Sequence, residues 1–101
     1  MTYLLVQYGA PTDPAAFDKY YRETHIPLAK TLPGLREYTI SDGRVDGLAG
    51  TPAYLVAVLR FDSRAALDAA LASPEGTATA ADLGNFATGG ATIAIFEGKV
   101  V

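Results

Sequence analysis

An α+β fold, with one antiparallel sheet and its helices on a single face, is what this sequence predicts. Three observations carry that reading. Four short runs read as strands, helical stretches stand between the first and second and between the third and fourth, and the third run is apolar on both faces. At 101 residues the chain is one domain, since domains commonly run from about 50 to 250 residues. Half of the residues are hydrophobic and 19% are charged, the balance of a globular chain.

Residues 2 to 8 are rich in aromatic and aliphatic side chains and close at Gly9-Ala10-Pro11, which reads as a first strand. Asp13 is then a good N-cap, with Pro14 at the first helical position, where a missing N–H is harmless. The helix from Pro14 to about His25 places Phe17, Tyr20, Tyr21, Thr24 and Leu28 on one stripe. Pro27 disfavours helical geometry at Ile26, so the helix is expected to break near His25. Leu32-Pro33-Gly34-Leu35 turns into a second strand, Leu35 to about Asp42, with Tyr38 and Ile40 on one face and Leu35, Glu37 and Thr39 on the other. Residues 42 to 52 form a long glycine-rich hairpin loop.

In the third strand, Ala53 to Phe61, Tyr54, Val56 and Val58 point one way and Leu55, Ala57, Leu59 and Phe61 the other. Ser63 caps a second helix carrying Leu67 and Leu71. A shorter helix restarts at Ser73-Pro74-Glu75-Gly76 and ends near Gly84, a residue suited to a left-handed cap. A loop over 85–90 leads into a last strand, Ala91 to Glu97. The resulting β-α-β-β-α-β order is the ferredoxin-like plan. Helices on one face leave the third strand's second apolar face uncovered. The same face of an identical chain would cover it, so a two-fold homodimer is expected.

Composition narrows the chemistry. The net charge is −3 with eight scattered basic residues, which gives no electrostatic reason to expect nucleic acid or anionic lipid. Cysteine is absent, which removes disulfides, thiolate ligands and a cysteine nucleophile. With a single histidine besides, no metal site is expected. The first apolar run is too short for a signal peptide, and nothing approaches the ~20 apolar residues of a membrane span. A cytoplasmic setting is the expectation. Gly47-Leu48-Ala49-Gly50 and Gly89-Gly90 lack the lysine and helix context of a phosphate cradle. No nucleophile elbow accompanies the serines. Asp13, Asp18, Glu23 and Glu37 read as a cap and solvated charges.

What remains is His25, the only side chain whose ordinary pKa lies near neutrality. It stands at the edge of the aromatic stripe, one turn beyond Tyr21, as a candidate proton carrier. The bland alternative is an imidazole bonding the loose carbonyls of a helix end.

Tyr20-Tyr21-x-x-Thr24-His25-x-Pro27-Leu28, then Pro33-Gly34-Leu35, Ser73-Pro74-Glu75-Gly76 and Asp82-Leu83-x-Asn85-Phe86, together resemble the EthD family within the dimeric α/β-barrel superfamily. The resemblance covers nearly the whole chain. Relatives in that superfamily include cofactor-independent monooxygenases, polyketide cyclases, muconolactone isomerases and haem enzymes, several of which hold small organic molecules between helices and sheet. It implies a homodimer with no cofactor, taking a small apolar or aromatic ligand and acting on a lactone, a polyketide or phenolic intermediate, or an ether-degradation product. Proton transfer or oxygenation would be the reaction; a non-catalytic accessory or metabolite-binding role is the alternative. His25 with Tyr38 is similar to the histidine-and-tyrosine arrangement of the methylmuconolactone methylisomerase branch. By that resemblance His25 is the acid or base, Tyr38 holds an oxyanion, and Tyr21, Phe17 and Phe86 wall the pocket. Tyr20 is expected to be plain packing.

Overall fold

Strand β1 (Thr2–Tyr8) lies in the middle of a four-stranded sheet of order β2-β3-β1-β4, in the computed structural model that describes all residues from Met1 to Val101. Its neighbours β3 (Leu55–Phe61) and β4 (Ala91–Glu97) and the edge strand β2 (Glu37–Ile40) all pair antiparallel. The helical segments cover one face, giving a two-layer slab of 35 × 35 × 18 Å. This is the expected ferredoxin-like α+β architecture.

Alternation decides which face is wet. Thr2, Leu4, Val6 and Tyr8 of β1 and Ala57, Leu59 and Phe61 of β3 are buried under the helices. Phe17, Tyr21, Leu32, Leu67, Ala70 and Phe86 complete the core from above. The opposite face keeps Tyr3, Leu5, Val56 and Val58 half-buried and Phe96 exposed, with no helix over them.

The first helix departs from expectation at Pro27. Segment α1 (Pro14–Tyr20), capped by Asp13 Oδ1 accepting from the Ala16 N–H at 3.1 Å, does not stop at His25. It widens into a π-helical turn, Tyr21–His25, and continues as α2 (Ile26–Ala29). The Ile26 N–H reaches back five residues to the Tyr21 carbonyl. That wide turn moves carbonyls away from the Pro27 ring, the clash that would otherwise end the helix. It also resets the buried stripe. In a regular α-helix, positions 17, 21, 25 and 29 drift by roughly 40° per step. The π turn takes up most of that drift, so Phe17, Tyr21, His25 and Ala29 are all buried, while the predicted Thr24 is exposed and Leu28 only half-buried.

Other boundaries shift for local reasons. Strand β2 is shorter than expected, and Leu35, before its start, packs against the core rather than sharing a face with Glu37 and Thr39. Tyr54 lies outside β3. It turns to the helix side, its ring edge-on to Phe17 at 5.2 Å and its hydroxyl donating to Asp18 at 2.8 Å.

Ser63 caps α3 (Arg64–Ala72) as expected, by accepting from the Ala66 N–H. The helix after it, α4 (Pro74–Phe86), has 13 residues against nine in α3, so it is the longer of the two. It passes through Gly84 without a left-handed residue, because buried Phe86 holds its last turn in the core. Ser73 joins the two helices by accepting from the Gly76 N–H and donating to the Ala70 carbonyl. No helix is long and apolar enough to cross a membrane.

Candidate active site

The π turn delivers two candidate side chains, Tyr21 and His25, to the same side of the helix, above the sheet. Between helices and sheet lies a cavity of about 580 Å³, within the roughly 300–1,000 Å³ typical of ligand pockets. Its floor is two rows across the strands. One runs Tyr38, Leu59, Leu4, Ile95 and the other Ala57, Val6, Ile93. Tyr8, Tyr21, His25, Ala29 and Leu32 close one side, and residues of α3 and α4 the other.

Sequence reasoning placed His25 here but missed its partner. His25 Nδ1 lies 2.9 Å from Asp82 Oδ2 on α4, with both residues buried. The other carboxylate oxygen accepts from the Tyr20 hydroxyl at 2.5 Å and from Asn85 Nδ2 at 3.0 Å. Tyr20 is therefore more than packing; it fixes Asp82. Phe86 braces the imidazole from one turn further along α4, ring centroids 4.7 Å apart.

Burial pushes the Asp82 carboxyl up, but hydrogen bonds from Tyr20, Asn85 and His25 outweigh it and hold the pKa below the usual value. Burial lowers the pKa of His25, outweighing the opposing pull of Asp82. At neutral pH the pair is thus a neutral imidazole beside an ionised carboxylate. Nδ1 then carries the proton and Nε2 the lone pair. Nε2 has no partner in the protein, yet no sealed side-chain nitrogen or oxygen lacks one, so this edge is open. His25 lines the cavity, and its ring bonds no helix-end carbonyl.

In the same cavity, the hydroxyls of Tyr21 and Tyr38 are 2.5 Å apart. Burial raises both pKa values, and that of Tyr8 beside them, so all three phenols stay protonated at neutral pH. Only one proton lies between Tyr21 and Tyr38, so when Tyr21 donates, the Tyr38 hydroxyl keeps its own proton to donate to a ligand oxygen.

The predicted residues thus separate. His25, Tyr38 and Tyr21 line one cavity, whereas Phe17 and Phe86 do not line it; Phe17 stacks on Tyr21, and Phe86 packs edge-on to Tyr21 and tilted against His25. Their large rings are satisfied by one another and by Tyr8, an arrangement that periodicity alone does not distinguish from a pocket wall. Tyr8 and Asp82 went unassigned. The signal for Asp82 was present: an acid one helical turn before Phe86, on a stripe that must be buried, requires a partner. No group of three or more His, Cys, Asp or Glu side chains is placed to hold a metal ion.

These features define an α+β protein with a ligand-sized cavity and a carboxylate-oriented histidine. The EthD domain model matches residues 10–90, and the chain belongs to the EthD family. An uncharacterized 11.0 kDa protein from the thcB–thcC intergenic region of Rhodococcus erythropolis is 42% identical over 98 residues, covering 95% of this chain and 93% of that one. Among solved structures, an ethyl tert-butyl ether d (EthD) family protein of Bacillus halodurans superposes with TM-score 0.88 at 31% identity, over 98% of this chain and 99% of the other. The fold is shared with SnoaB, a cofactor-independent oxygenase of Streptomyces nogalater (TM-score 0.70, 19% identity, 99% and 94% covered). It is shared too with a protein of Thermobifida fusca described as a dimeric ferredoxin-like protein of unknown function (0.70, 17%, 94% and 88%).

Proposed function

We propose that this protein is a cofactor-independent, homodimeric enzyme that moves a proton on a small oxygenated organic compound, with His25 as the acid or base. One observation carries the reading. The open Nε2 of a neutral, Asp82-held imidazole shares an apolar cavity with the protonated Tyr21–Tyr38 hydroxyl pair.

His25 Nε2 would take a proton from a carbon next to a carbonyl, or from a phenol. The Tyr38 hydroxyl, backed by Tyr21, would stabilise the oxyanion that results. Return of that proton to another atom gives isomerisation or cyclisation. If the carbanion instead meets dioxygen, a methylene loses two hydrogens, gains one oxygen as a ketone, and water leaves. SnoaB, a cofactor-independent oxygenase of the same fold, supports including that second outcome. Phe17 and Phe86 contribute by bracing Tyr21 and His25. The homodimer rests on the uncovered apolar sheet face, and the dimeric description of the Thermobifida fusca protein supports it. The cytoplasmic setting expected from the sequence stays part of this reading.

The test is solvent deuterium exchange, followed by proton NMR, into a panel of butenolides, hydroxylated anthrones and 1,3-diketones. His25→Gln should slow exchange by about 10²–10⁴ and Tyr38→Phe by about 10². A His25→Gln protein exchanging at the wild-type rate would remove the acid–base role. Panel members that bind the wild type without any exchange would make the cavity a metabolite-binding or accessory site instead.

A further inference from the structure

The cavity is polar at one end only. Its floor crosses all four strands, a span of roughly 14 Å at ~4.8 Å per strand step. At the β2 side stand Tyr38, Tyr21 and His25, with the Tyr8 phenol against Tyr21, and these are the groups with polar atoms to offer. Toward β4 the lining is Ile93, Ile95, Leu71, Ala80 and Leu83. The two polar side chains elsewhere on the wall are already engaged: Thr79 donates to the Glu75 carbonyl, and Arg64 binds Asp68 in solvent.

Exposure follows the same axis. Tyr21 and His25 are 2% and 4% exposed, whereas Leu71 is 37% and Ile93 51% exposed. The cavity is therefore closed around its hydrogen-bonding groups and opens between α4 and β4 through aliphatic side chains. A small polar metabolite would leave that apolar half wet, and a ligand with oxygens at both ends would bury one of them unpaired.

The geometry points to an amphipathic ligand: an oxygenated ring at the Tyr38–His25 end, carrying an aliphatic or fused-ring tail that extends across the sheet to exit beside Ile93. This rests on the proposed reading of the same cavity but concerns binding, so it is tested apart from turnover.

The probes are 4-alkylphenols from 4-methylphenol to 4-octylphenol, titrated calorimetrically against the whole protein. Affinity should rise about threefold to fourfold per added methylene until the tail reaches the mouth. Tyr38→Phe should weaken every member by one common factor. Ala80→Trp, at an exposed position on the rim, should penalise only the longer members. Ile93→Asp should flatten the dependence on chain length, weakening the long members most and 4-methylphenol least. Affinity that is independent of chain length, or greatest for the shortest phenol, overturns the inference. So does an Ile93→Asp protein that loses its dimer by light scattering while keeping the chain-length trend, since the β4 rim would then be an interface. Graded binding with no deuterium exchange would leave this inference standing and sink the proton-transfer chemistry.

Discussion

Burial keeps His25 neutral against the pull of Asp82, hydrogen bonds led by Tyr20 and Asn85 keep Asp82 ionised, and the directions of these shifts set the pH behaviour. Because folding lowers the pKa of His25 below its ordinary 6.5, the unfolded chain binds more protons between the two values. Stability from this group is full above about pH 6.5 and falls as pH drops through the folded value. Asp82, also lowered, adds loss of the same sign at lower pH, below its ordinary 3.8. The melting temperature should therefore fall as pH drops from about 6.5, and His25→Gln should flatten the upper part of that fall. Activity gives a second readout. The acid limb of kcat/KM should lie below pH 6.5, and Asp82→Asn should move it lower still, since the hydrogen bond and charge that hold the imidazole's pKa up are gone. The same variant should lose about 10²–10⁴ in rate, because an amide no longer imposes the tautomer with its lone pair on Nε2. An acid limb that stays in place in Asp82→Asn would show that another group titrates.

At the scale of elements, the joint between α3 and α4 sets the far wall of the cavity. Gly76, in the first turn of α4, is buried and lines the cavity, and a Cβ there would lie 2.1 Å from the Ala70 carbonyl oxygen and 2.7 Å from Leu71 Cα. Both obstacles are backbone, so the helices must separate. Gly76→Ala should destabilise the protein by about 1–3 kcal/mol in urea unfolding and weaken ligand binding, although it touches no polar group of the site. An unchanged transition midpoint would mean that the joint yields freely. The Ser63 and Asp13 caps were legible in sequence, because capping is decided within three or four residues. The order of strands and helices along the chain was legible too, since alternation and turn chemistry are local. The π turn was not. Pro27 announces a disturbance, but whether the helix stops or widens depends on the sheet below, which selects Tyr21 and His25 together. Which residue would pair with Asp82 was hidden for the same reason, because His25 lies 57 residues away in the chain.

For the whole molecule, the floor of the cavity and the uncovered face are two sides of the same strands. Leu4, Val6, Ala57 and Leu59 look into the cavity, and Leu5, Val56 and Val58 between them look out. Leu5 is flanked by Val58 on one side and Ala94 on the other, while Tyr3 stacks on Phe96 at 5.2 Å. Around this apolar centre stand Gln7, Glu37, Thr39, Arg60 and Thr92, with Arg60 within 3.9 Å of Glu37. An apolar middle with a polar rim is the composition of a protein interface, and a two-fold axis lets the patch cover itself. Sedimentation equilibrium at micromolar concentration should therefore show a dimer, and the melting temperature should rise with protein concentration. Leu5→Asp places a charge at the centre of the patch, where closing the dimer would desolvate two carboxylates, so that variant should sediment as a monomer. Because the strands carrying Leu5 also carry the floor, its loss should reach the cavity: 4-alkylphenol affinity should drop in Leu5→Asp although no lining residue has changed. A wild-type monomer, or a Leu5→Asp protein that still dimerises, would place the covering partner elsewhere.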